Sequence, residues 1–73
     1  MNNNDSFAMI DNVISLYANG LLTVQETTEK ALQAINNATD FIWDPGIKQK
    51  AKNVLYKRFF DKMHKAIVRM NRQ

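Results

Sequence analysis

Beyond Gly46 the chain contains neither glycine nor proline, and this uninterrupted stretch to Gln73 is the feature that most constrains the fold. Glycine and proline are the two residues that most readily interrupt a helix, the first through conformational freedom and the second through a missing amide and a ring clash. Immediately upstream, Asp44 suits a helix N-cap, and Pro45 suits the first helical position, where no amide is left unpaired. The pattern predicts a helix over 45–71, roughly 40 Å long at 1.5 Å per residue. Leu55, Tyr56, Phe59, Phe60, Met63, Ala66, Ile67 and Met70 fall in one broad sector of it, and Lys57, Arg58, Lys62, Lys65, Arg69 and Arg72 on the other side. Such a helix is amphipathic and basic.

Two shorter helices precede it. Asp5 and Ser6 can accept hydrogen bonds from the free amides of a helix start, and Phe7, Ile10, Val13, Ile14 and Tyr17 recur at helical spacing, predicting a helix over 6–18 behind a disordered tail, 1–5. Asn19 and Gly20 tolerate the left-handed conformation that closes helices. Thr23 and Glu26 have the spacing of a capping box, which starts a second helix at Val24 and carries it to about 38. Val24, Ala31, Leu32 and Ile35, with Thr28, mark its expected buried stripe. The short link from Gly20 to Thr23 makes the pair an antiparallel hairpin.

The expected fold is therefore all-α, a single domain in which a short helical hairpin packs on the first half of a long basic helix. Helices of ~20 Å cannot cover one of ~40 Å, so the second half of the long helix should be left for another partner. Trp43, just before the cap, is expected to plug the open end of the hairpin. Phe59 reads as core, and Phe60, nearer the edge of the apolar sector, as an exposed contact. Within the long helix the apolar positions drift from Ile47, Ala51 and Val54 toward Leu55, Phe59 and Met63, so its two halves can face different neighbours.

With 73 residues and no cysteine, the chain has neither disulfides nor a cysteine zinc site to support a small core. Oligomerisation or a partner would supplement it. Charge is segregated: residues 1–45 hold one lysine against six carboxylates, a net of −5, and residues 46–73 hold nine Lys and Arg against Asp61 alone, a net of +8. No apolar run approaches the ~20 residues of a membrane span, and the N-terminus lacks the regions of a secretory signal, so a cytosolic location is expected.

Leu16, Tyr17, Ala18, Asn19, Gly20, Leu21, Leu22, Thr23, Val24, Gln25 and Glu26, followed by Lys30 and Leu32, give residues 10–35 a likeness to a known pattern: leucines, a glycine, two aliphatics, a hydroxyl residue, a glutamate and a later lysine. The segment resembles the SHOCT family, a short bacterial helical-hairpin module. Thr27 stands where that family usually has an aromatic. The resemblance implies an oligomerisation or interaction hairpin with no catalytic residues. The same pattern also arises wherever a hairpin must be capped in this way.

No catalytic constellation is present, so the chain does not read as an enzyme, and no cofactor, metal or small-molecule substrate is expected. His64 has no second or third ligand at metal-binding spacing. Asp40 and Asp44 flank a turn in which the second is explained by capping, and Ser6 and Ser15 have no neighbouring histidine in sequence. The preferred reading is a small protein-binding regulator or inhibitor, of the size phages and mobile elements encode, acting through Phe60, Met63, Ile67 and Met70 on another protein or on a second copy as a homodimer. The alternative is a nucleic-acid-binding accessory protein using Lys57, Arg58, Lys62, Lys65, Arg69 and Arg72.

Overall fold

The computed structural model describes residues 3–72, and side chains from Asp5 onward. It is an all-α, three-helix structure: α1 spans Asn3–Ala18, α2 spans Val24–Thr39 and α3 spans Pro45–Asn71. Helix α1 thus begins three residues before the expected start, correcting the assignment of residues 3–5 to a disordered tail; Met1 and Asn2 lie outside the described residues. Asp5 is an acid in the first turn, where the helix dipole favours it, and Ser6 is buried rather than capping.

Local chemistry fixes each corner. At the end of α1, Gly20 adopts φ +79, its amide donates to the Tyr17 carbonyl at 3.0 Å, and the Leu21 amide donates to the Leu16 carbonyl at 2.9 Å. These two bonds form a Schellman closure, which needs a residue at ease in the left-handed region. Thr23 and Glu26 then start α2 reciprocally: the Glu26 amide donates to Thr23 Oγ1 at 3.1 Å, and the Thr23 amide donates to Glu26 Oε1 at 3.0 Å. Asp44 caps α3 by accepting from the Ile47 amide at 3.0 Å, and Pro45 follows it.

Ile10 and Ile14 from α1, Ala31, Ile35 and Ala38 from α2, and Leu55, Phe59, Met63 and Ala66 from α3 form the core, with Phe7, Tyr17, Tyr56 and Ile67 packed partly buried against it. The buried stripe of α2 is rotated from the expected one. Thr27, Ala31, Ile35, Ala38 and Thr39 are inside, whereas Val24 and Leu32 are exposed. Two threonines can serve there because each hydroxyl is satisfied within the helix, Thr27 donating to the Thr23 carbonyl at 2.7 Å and Thr39 to the Ile35 carbonyl at 2.9 Å.

Helices α1 and α3 run parallel, each antiparallel to α2. Near the start of α1, Phe7 and Asp11 meet Arg58, and near its end Ile14 and Ala18 line a groove with Ala66 and Met70. The hairpin therefore covers the second half of α3, reversing the expected arrangement, and the first turns project beyond it. Asp40 and Phe41 form a turn in which the Ile42 amide donates to the Thr39 carbonyl at 3.1 Å, and residues 42–44 lead from it into α3. The first buried residue of α3 is Leu55. The projecting helix stretches the molecule to 44 × 20 × 17 Å.

Candidate interaction surfaces

The projecting end carries Trp43, the most exposed large apolar side chain among the described residues, with three further exposed ones; Leu21, 69% exposed, lies at the other end in the α1–α2 link. Trp43 is 96% exposed, Phe41 67%, Ile47 60% and Val54 57%. In the link Ile42 is half-buried, whereas its neighbour Trp43 is almost wholly exposed and does not plug the hairpin. On α3, Ile47 and Val54 are seven residues apart and share a face with Ala51 between them. Phe41, Ala51 and Val54 line a shallow groove of about 140 Å³ floored by Ser6, Phe7, Ala38 and Leu55. The expected apolar drift along α3 thus begins with the exposed Ile47 and Val54, of which Ile47 lies outside that groove.

The four residues expected to contact a partner do not form one surface. Met63 is 5% exposed and belongs to the core, and Ile67 packs against that core. Phe60 is exposed on the outer side of α3, its ring 5.4 Å from that of Phe59. Met70 reaches solvent about ten residues further on, beside α1, where it lines a different groove. The coverage of α3 by the hairpin is what separates them.

The basic residues divide as well. Arg58 is no free cation: its guanidinium lies 4.7 Å from the centre of the Phe7 ring and donates to Asp11 Oδ2 at 3.0 Å. Asp11 Oδ1 and Arg58 Nε are buried at that junction without a hydrogen-bond partner. Lys57, Lys62, Lys65, Arg69 and Arg72 are exposed. Lys62, Lys65 and Arg69 rim a groove of about 390 Å³ between α1 and α3, floored by Ile14, Ala18, Ala66 and Met70. Arg72 continues the row beside Arg69 and Val68.

Among the described residues no three metal-ligating side chains gather at one point. Also among them, no helix is long and apolar enough to cross a membrane. Trp43, Phe41, Ile47 and Val54 escaped the sequence-based site because apolar residues beside a cap read equally well as core. In comparison with known proteins the chain matches no family model, no curated protein and no solved structure, so its own geometry is the basis for a functional reading.

Proposed function

We propose that the chain is a small, non-catalytic protein-binding regulator whose working surface is the projecting end formed by the α2–α3 link and the start of α3. The observation that carries this reading is Trp43, 96% exposed, beside the exposed Phe41 and Ile47. At roughly 150–250 Å² per aromatic side chain, Trp43 and Phe41 alone present on the order of 300 Å² to water. That lies in the range of the largest apolar patches on monomers, which are often functional. Exposed aromatic side chains of this kind fit an anchor that enters a pocket of a partner protein. Of the residues that carry the SHOCT resemblance, Leu16 to Glu26 with Lys30 and Leu32, the segment Gly20 to Glu26 closes the other end of the hairpin, away from this surface.

Light scattering coupled to size exclusion should give a monomer. Affinity capture from host lysate should recover a protein with wild type and with Phe60→Ser, and lose it with Trp43→Ser/Ile47→Ser, all variants retaining their helical circular dichroism. Trp43 is the only tryptophan, so its fluorescence should shift to the blue when that protein is added back. A stable dimer, or capture indifferent to the double substitution, overturns the reading.

A further inference from the structure

The exposed cations of the second half of α3 lie at the opposite end of the helix from the apolar anchor, and their spacing has a chemical meaning of its own. Lys62, Lys65, Arg69 and Arg72 follow one another at intervals of three, four and three residues, the repeat that keeps side chains on one helix face. From the first to the last the helix advances about 15 Å. One strand of a nucleic-acid duplex carries a phosphate every ~3.4 Å of axis, so about four phosphates occupy the same length.

Neighbouring acids do not cancel the row. Asp11, on the α1 side of the groove, is held by Arg58 at 3.0 Å. Asp61 is the one acidic side chain between residues 46 and 73; it lies one helical turn before Lys65, and the four cations of the row outnumber it. Otherwise α1 contributes Ile14, Ser15 and Ala18 to this groove, with no charge of its own.

We infer that the row Lys62, Lys65, Arg69 and Arg72 is a binding site for the phosphate backbone of duplex nucleic acid, read without regard to sequence. Two features select this occupant. The groove between α1 and α3 has no aromatic side chain on which an unpaired base could stack, and the one ring beside the row is the imidazole of His64, next to Lys65, Arg69 and Arg72, with no phenylalanine, tyrosine or tryptophan among them. The row is made of flexible, point-like or forked cations on the rim of a groove, with no asparagine or glutamine among its lining residues to pair with a base edge. Such contacts position a protein on a duplex and leave its sequence unread.

Fluorescence anisotropy with a labelled ~20-base-pair duplex tests the site. Four phosphate contacts give a log–log salt slope of about −3.6, equivalent to about 150-fold weaker binding at ~200 mM than at ~50 mM salt. Lys65→Gln/Arg69→Gln should halve the slope to about −1.8, leaving about a 12-fold loss over the same range. Lys48→Gln/Lys50→Gln, at the other end of α3, should leave it unchanged, and duplexes of unrelated sequence should bind alike. All these side chains are exposed or half-exposed, and unaltered thermal melts will show that the variants fold. No binding at ~50 mM salt, an unchanged slope in the Lys65/Arg69 variant, a preference for single strands or for one sequence, or binding to phosphatidylserine vesicles but not to duplex would each overturn the site.

Discussion

Phe59 and Phe60 are adjacent in sequence and opposite in consequence. One is almost fully buried and the other 57% exposed, because neighbouring positions on a helix point about 100° apart. Phe59→Ala should cost about 3–5 kcal/mol through lost transfer and a residual cavity. A chain of this size has roughly 4–11 kcal/mol in all, so that variant should be largely unfolded at 37 °C or melt far below wild type. Phe60→Ala should cost less than about 1 kcal/mol, since it loses little beyond the ring contact with Phe59. Urea denaturation of both variants checks the pair, and a Phe60→Ala loss as large as that of Phe59→Ala would mean that its exposed face is covered in solution. The contrast between these rings was legible from their places in the apolar sector. Met63 and Thr27 were not legible in the same way. Periodicity gives the width of an apolar sector but leaves its centre open to the neighbours, and that centre fell on Leu55, Phe59, Met63 and Ala66. Thr27 looked polar, yet its hydroxyl is answered by the Thr23 carbonyl inside its own helix, so its methyl group can face the core.

At the scale of elements, the corners were readable because each depends on residues within one helical turn. Thr23 and Glu26 exchange hydrogen bonds, Gly20 turns the chain, and Asp44 with Pro45 begins α3. Thr23→Ala should cost about 1 kcal/mol, with the loss centred on the first turn of α2. Glu26 adds a pH dependence. The backbone bond from Thr23, then the side-chain bond with Thr23, and lastly the charge of Lys30 hold its carboxyl below the ordinary value of 4.5, against a small opposing effect of desolvation. A carboxylate whose folded pKa is lowered contributes stability that is complete above the unfolded value and disappears as pH falls through the folded one. The advantage of wild type over Glu26→Gln should therefore be greatest near neutral pH and shrink on acidification below the ordinary value of 4.5. Urea midpoints measured across that window check it, and an advantage that grows on acidification contradicts the cap geometry. The start of α1 was misplaced because Asp5 and Ser6 both suit an N-cap, whereas Asp5 serves equally well inside the first turn. Which part of α3 would project was hidden for a different reason. It depends on the path of the backbone between α2 and α3, to which side-chain pattern is blind.

For the whole molecule, segregated charge suggests that an acidic hairpin is held to a basic helix by attraction, yet the magnitudes favour packing. Ile10, Ile14, Ile35, Leu55, Phe59 and Met63 are buried at the junction of the three helices. At about 1.5–3 kcal/mol each, they supply roughly 9–18 kcal/mol before conformational entropy is subtracted. Against that stands the ion pair of Asp11 with Arg58, which spans α1 and α3 and whose side chains keep 39% and 36% of their exposure. Solvent screens such a pair, and exposed pairs typically contribute about 0.2–1 kcal/mol. Arg58 has a second attachment, its guanidinium over Phe7, that does not need the carboxylate. A double-mutant cycle separates the two. Asp11→Ala, Arg58→Ala and the combined variant, compared by urea denaturation, should give a coupling energy below about 1 kcal/mol. Arg58→Ala alone should cost more than Asp11→Ala alone, because it also uncovers the Phe7 ring. A coupling above about 2 kcal/mol would mean that solvent screens the pair far less than its exposure implies, and that charge adds substantially to the packing between α1 and α3.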